Sequence, residues 1–139
     1  MIITEEATEA ALALQKRGNV AKFFSIEFLE QQDEYFLFNC VFPEEAKNPL
    51  AFVQGGFICA ALDDATAVTV SMFTSGTKIP NSTDIHVTYH RPLSLGKAFM
   101  KTKVIKLGQT MTSVEGKIFT KQNKLAASML HTAMLFDPN

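Results

Sequence analysis

Residues 54–67 read QGGFICAALDDATA. A glycine pair opens an apolar run that continues to Phe73, and two adjacent carboxylates, Asp63 and Asp64, interrupt it. On a helix from Gly56 to about Met72, the side chains of Phe57, Ile58, Leu62, Val68, Val70 and Met72 fall on all sides. A helix that is apolar all round is expected to be buried all round. The rest of the chain must therefore supply the cover.

The flanking sequence supplies it as strands. Upstream, residues 5–17 form a helix: Thr4 caps its start, Glu5 and Glu6 complement the positive end of its dipole, and Lys16 and Arg17 suit its last turn. Gly18 suits a left-handed stop. Two aromatic-rich runs, 23–30 and 35–42, flank the polar QQDE and read as a hairpin. Residues 43–49, PEEAKNP, form a loop. Downstream of the second loop, SGTKIPN, the period changes to two: Ile85, Val87 and Tyr89 alternate with Asp84, His86 and Thr88. Residues 97–107, 111–121 and 124–136 follow as strands, with turns at Gly108-Gln109 and Gln122-Asn123. This order makes residues 1–139 a single α+β domain, its central helix segregated to one face of an antiparallel sheet.

The bulk composition removes several function classes. The 139 residues carry 13 basic and 14 acidic side chains for a net charge of −1, and 47% are hydrophobic. Such a balance has no basic field for nucleic acid. The N-terminus lacks a basic region ahead of an apolar core, and no apolar run approaches the span of a transmembrane helix. Neither a membrane nor a nucleic acid is expected as a partner, and the expected compartment is the cytoplasm. Cys40 and Cys59 have no metal or redox spacing and read as buried thiols of a reducing environment.

The carboxylates and glycines are where chemistry is expected. Asp63 and Asp64 point about 100° apart, so at least one lies in apolar surroundings. There it needs hydrogen-bond partners, or its pKa rises toward the range a general base requires; a nearby amide or hydroxyl would satisfy it equally well. Gly55-Gly56 lies at the helix start, where N–H groups lack intrahelical acceptors and the missing Cβ atoms let a ligand approach. Such amides stabilise developing negative charge. Gly55 and Asp63 are eight residues apart, about 12 Å along a helix. One helix cannot bring both to one carbonyl, whereas a second copy across a two-fold axis can. The combination therefore implies a homodimer with two shared sites.

Four blocks carry a resemblance: NPLAFVQGG at 48–56, LDDA at 62–65, DIHVTYHRPLSLG at 84–96, and the Gly108-Gln109 turn. Their spacing resembles the hotdog-fold thioesterases of the phenylacetate-degradation (PaaI-like) branch, over some two thirds of the chain. The resemblance implies a long central helix wrapped by a curved antiparallel sheet of about five or six strands, plus the N-terminal helix. It implies homodimers that often pair into homotetramers, and hydrolysis of acyl-CoA thioesters with no metal or organic cofactor. It assigns the oxyanion N–H to Gly55 beside Gly56, the acid that activates or replaces the attacking water to Asp63 rather than Asp64, a carbonyl- or motif-holding role to Asn48, and a water-orienting hydroxyl to Ser82. Arg91 is the cation assigned to the phosphates of coenzyme A, and Lys97, Lys101, Lys103 and Lys106 read as a solvated face. Gln54 departs from the family, which has His there. Glutamine donates a hydrogen bond but cannot carry a proton as imidazolium does; a thiolate leaving group does not require one.

His86 and His90 share a strand face, but with His131 they have no diagnostic metal spacing and read as strand-surface or interface residues. The 12 phenylalanines read mostly as core. Beside the thioesterase, two other readings fit the same blocks. One is a non-catalytic acyl-CoA binding or sensing protein, motivated by Gln54. The other is a hydratase or dehydratase, which ranks last because no histidine lies in the helix or at its entrance.

Overall fold

The computed structural model describes residues 1–139. Helix α1, Glu5–Gln15, starts as the sequence dictates: Thr4 Oγ1 accepts from the Ala7 N–H at 3.1 Å, and Glu5 and Glu6 occupy the first turn. It ends sooner than the sequence suggests, with Lys16 as its C-cap in right-handed geometry. The left-handed stop expected at Gly18 is not used; the glycines with positive φ are Gly76 and Gly96. The chain instead passes into a four-residue helix, α2, Val20–Phe23.

Strands β1 (Glu27–Gln32) and β2 (Tyr35–Phe42) form the expected hairpin, which begins four residues later than its aromatic content indicates. Helix α3, Gly55–Phe73, follows. The remaining strands are β3 (Ile79–Tyr89), β4 (Gly96–Leu107), β5 (Met111–Phe119) and β6 (Leu125–Phe136). All six strands join one antiparallel sheet in the order β1-β2-β4-β5-β6-β3. After α3 the chain runs to the far edge as β3, then crosses back to lay β4 beside β2. This leaves β3 paired only with β6, its other edge open.

The inner face of the sheet follows the two-residue period. Phe36, Phe38, Cys40 and Phe42 of β2, Ala98 and Met100 of β4, Val114 and Ile118 of β5, and Ala127 and Met129 of β6 are all buried. They meet Ile58, Ala61, Leu62, Ala65, Val68 and Met72 of α3. Each large side chain so buried contributes roughly 1.5–3 kcal/mol. Gly116 brings the layers close, since a Cβ there would lie 3.0 Å from Thr66 Cγ2 and 3.3 Å from Leu62 Cδ2. The buried Cys40 thiol is pushed up to about 12 by desolvation.

Two expectations need correction. Helix α3 is not buried all round: Gly56 and Phe57 are exposed, and Cys59, Ala60, Asp63 and Ala67 are only half-buried. Of these, Gly56, Ala60, Asp63 and Ala67 recur at helical spacing and form one stripe that the sheet does not cover, while Phe57 packs against Phe24. Cys59 is thus less buried than its type suggested. Helix α3 also has the length and hydropathy of a bilayer-crossing segment, with 19 residues and a mean hydropathy of 1.4. That apolarity is used against the sheet, where buried Thr66, Thr69 and Ser71 are hydrogen-bonded.

Candidate active site

The start of α3 is held by the preceding loop. Asn48 Oδ1 accepts from the Leu50 N–H at 2.9 Å and the Phe52 N–H at 3.1 Å, while the Asn48 N–H donates to Phe52 O at 2.6 Å. These bonds fix a turn in which Ala51 has a φ of 66°. The carboxamide oxygen of Asn48 thus holds the motif, leaving its Nδ2 donors unspent. Gln54 is the N-cap residue, with φ −61° and ψ 134°, and its side chain makes no capping bond. The N–H groups of Phe57 and Ile58 turn back to Gln54 O. Those of Gly55 and Gly56 have no acceptor within the chain. Helix α3 thus begins at Gly55, one residue earlier than its pattern indicates.

Tyr89, at the end of β3, locks this helix start. Its hydroxyl donates to Gly55 O at 2.6 Å, and its ring lies 3.2 Å from where a Gly55 Cβ would sit. A Cβ on Gly56 would meet nothing within 4 Å, so open space lies over that amide. Asn48, Phe52, Gly55, Ile58, Tyr89 and Arg91 line a cavity of about 370 Å³. Arg91 also borders a second cavity of about 440 Å³, lined by Lys97, Lys121 and Lys124. Neither Arg91 nor these lysines pairs with a carboxylate. Of the sequence-predicted residues, Asn48, Gly55 and Arg91 therefore share one cavity.

The carboxylates sit two helical turns on, and the structure separates them. Asp64 turns toward α1 and accepts from Gln15 Nε2 at 2.7 Å. Burial raises its pKa, the Gln15 bond opposes that, and the neighbouring Asp63 charge adds to it. Asp63 turns instead toward β3 and β6. Its Oδ1 lies 3.3 Å from Ser82 Oγ and 3.6 Å from His131 Nε2. Burial alone would have chosen Asp64, whereas its partner is a helix-packing glutamine.

Ser82 reaches Asp63 because of a bulge. The β3–β6 register slips between Ser82 and Asp84, so Ser82 pairs with Ala133 and Ile85 with His131. Without that extra residue, Ser82 would fall on the outer face with Asp84 and His86; bulges re-aim side chains in this way. His131 then lies between two hydroxyls, with Nε2 2.7 Å from Ser82 Oγ and Nδ1 2.7 Å from Thr66 Oγ1. Its side chain is only 2% exposed. Desolvation lowers its pKa, and the Asp63 charge partly offsets this.

The expectation of a strand-surface or interface histidine at 131 is thus corrected, since it is buried within the single chain. A signal was present in the sequence: His131 is in phase with the inward Ala127, Met129 and Ala133. Thr66, one turn beyond Leu62, was also overlooked. The three histidines do not converge. His86 and His90 lie on the outer face, where His90 Nε2 meets Ser128 Oγ at 2.9 Å.

A match to the thioesterase superfamily model spans residues 50–127, more than half of the sequence. The chain belongs to the thioesterase superfamily. Among solved structures, Escherichia coli PaaI of the phenylacetic acid degradation operon superposes with a TM-score of 0.85 at 16% identity, covering 99% of this chain and 98% of that one. A putative thioesterase from Ralstonia eutropha JMP134, described as phenylacetic acid degradation-related, gives 0.80 at 21% identity, with 90% and 98% covered. A Streptococcus mutans UA159 protein solved with bound acetyl-CoA gives 0.71 at 13% identity, with 82% and 90% covered. Among curated proteins, none matches the sequence. The superpositions establish the hotdog fold for this member of the superfamily.

Proposed function

We propose that this thioesterase hydrolyses acyl-CoA thioesters in two sites, each shared across a homodimer. The observation that carries the reading is the unpaired Gly55 N–H at one end of α3 and the Asp63–Ser82 pair two turns away, along a helix stripe the chain leaves uncovered. In one chain they are about 12 Å apart. An antiparallel partner helix sets Gly55 of one protomer opposite Asp63 of the other. The open edge of β3 supports the same two-fold arrangement, since an unpaired strand edge is a template for another strand.

In this reading the thioester oxygen accepts from the Gly55 N–H, with Asn48 Nδ2 as a second donor in the same cavity. Asp63 of the partner protomer takes a proton from water as the water oxygen bonds to the carbonyl carbon. The tetrahedral intermediate then collapses, the C–S bond breaks, and the CoA thiolate leaves to be protonated. Gln54 is compatible with this because a thiolate leaves without an acid. The cavity shared through Arg91 with Lys97, Lys121 and Lys124 suits the phosphates of coenzyme A, to which these side chains offer charge at no cost of an existing ion pair.

The test is subunit complementation. Asp63→Ala and Gly55→Pro chains are each expected to release thiol from acyl-CoA at least about a hundredfold more slowly than wild type. Co-expressed at equal levels, half of the dimers are mixed and each has one intact site, so about one quarter of wild-type activity returns. Mixed dimers confirmed by mass but devoid of activity would refute the shared site, and full activity of Asp63→Ala would refute the assignment of the acid.

A further inference from the structure

Hydrogen-bond economy around His131 fixes more than its burial. Thr66 has one hydroxyl hydrogen. Leu62 O at 2.8 Å and Asp63 O at 3.0 Å are carbonyls, which only accept, and a mid-helix threonine characteristically back-bonds to the carbonyl four residues earlier, which assigns that hydrogen to Leu62 O, the nearer of the two. With that assignment Thr66 Oγ1 accepts from His131, which puts a proton on Nδ1. In the neutral ring Nε2 is bare and accepts from Ser82, 2.7 Å away. Ser82 also has one hydrogen, and once given to Nε2 it is not available to Asp63 at the longer distance of 3.3 Å.

We propose that His131 is a positioning residue which, when neutral, pulls the Ser82 hydroxyl hydrogen inward, so that Ser82 Oγ and Asp63 Oδ1 both face outward as acceptors for the two hydrogens of one water. The use of that water rests on the thioesterase reading; the direction of the hydrogen bonds does not. A water that donates both hydrogens presents its lone pairs away from the pair, toward a substrate carbonyl. Protonating His131 reverses the chain. Nε2–H then donates to Ser82, Ser82 donates to Asp63, and the carboxylate oxygen that would take the proton is occupied. The histidine missing from position 54 is therefore not replaced as an acid. His131, reached only through folding, sets the donor direction instead.

The ionisable group facing the imidazole is Asp63 of α3. Its neighbours across the sheet are Ile85 of β3 and Val114 of β5. Glu115 and His86, both opposite Leu130, and Asp84, opposite Thr132, belong to the outer face. The Asp63 charge is thus the one influence that favours protonation.

The experiment uses the full chain. Nitrogen-15 NMR of the imidazole side chains at pH 7.5 should show His131 neutral with its proton on Nδ1, and Asp63→Asn should shift its titration to lower pH. An Nε2–H tautomer, or an imidazolium at that pH, would overturn the proposal whatever the enzyme hydrolyses. In thiol-release assays the acid limb of kcat should follow the His131 titration seen by NMR. His131→Phe should cost about tenfold to a hundredfold in kcat with KM little changed. His131→Gln, which can still accept from Ser82, should recover part of the rate and lose that limb. An acid limb unchanged in His131→Gln would overturn the kinetic role. If no acyl-CoA is hydrolysed by a protein that shows the Nδ1 tautomer, the thioesterase reading fails while the donor direction stands.

Discussion

Removing one hydrogen at the start of α3 is the sharpest test of the oxyanion assignment. Gly55 occupies the first helical position, where proline is tolerated because that N–H has no intrahelical acceptor. The residue before it also permits proline: Gln54 has φ −61° and ψ 134°, within the extended region that precedes proline. Gly55→Pro therefore deletes the proposed donor while keeping the helix. It also adds a Cβ 3.2 Å from the Tyr89 ring. Gly55→Ala adds the same Cβ and keeps the N–H, so comparing the two isolates the hydrogen bond. Losing one preorganised oxyanion donor costs about 10²–10³ in kcat, or about 2.7–4 kcal/mol. The assay is steady-state thiol release from the best acyl-CoA of a panel, with circular dichroism to verify folding. Gly55→Pro should fall by that factor below Gly55→Ala, mostly in kcat, because the interaction strengthens as charge develops on oxygen. Equal rates for the two variants would refute the role of the Gly55 amide.

Four further outcomes are expected. Gly116→Val pushes a side chain into Thr66 and Leu62, so it should destabilise the fold by about 1–3 kcal/mol in denaturant unfolding and lower kcat through displaced Thr66. Gln15→Ala leaves the half-buried Asp64 carboxylate without its donor and should cost about 1–3 kcal/mol. Because the folded-state pKa of Asp64 is raised above 3.8, the folded chain binds that proton more tightly than the unfolded chain does. Its contribution is therefore present below pH 3.8 and lost as pH rises through the folded value, so Asp64→Asn should raise Tm at pH 7 and change it less at pH 3.5. Finally, Lys121→Gln with Lys124→Gln should raise KM for acyl-CoA with kcat unchanged and weaken the salt dependence of KM; a KM unaffected at low salt would remove these lysines from the phosphate contacts.

The fold was legible where periodicity was long and the turns were marked. Alternation in 84–89, the Gly108-Gln109 turn and the apolar run to Phe73 each carry their own local signal, and the strands and helix follow. The stretch 18–26 misled because Phe23, Phe24 and Ile26 have strand-forming side chains. The structure uses them as a short helix and a turn, with Ser25 at φ 47°, since Phe24 packs against both Phe42 and Phe57. Local propensity yielded there to tertiary contact. The site divides the same way. Asn48 and Gly55 are close in sequence and line one cavity. The inward phase of His131 was legible but its role was not, because that role depends on register: a single extra residue near Thr83 puts Ser82 on the inner face beside it, and nothing in the sequence marks that bulge.

The adjacent carboxylates show why burial within one chain is a poor guide to the acid of the proposed shared site. About 100° of helical rotation sends Asp64 into the α1–α3 contact and Asp63 to the uncovered stripe. Within one chain Asp64 is the more shielded of the two, while the Asp63 side chain remains 45% exposed. Yet the groups around Asp64 hold it as part of helix packing, while Asp63 faces Ser82, which is backed in turn by a fully buried histidine and threonine. Hydrogen-bonded hydroxyls and an imidazole lined up behind an exposed carboxylate have no packing role that Ala and Leu could not fill at lower cost, since buried polar groups must all be satisfied. Their placement along one side of Asp63 is what the proposed reaction at its other side would use. Under the proposed two-fold arrangement, the exposure of Asp63 is the open half of a site, and a partner helix covering it would supply both the desolvation and the oxyanion donor it lacks.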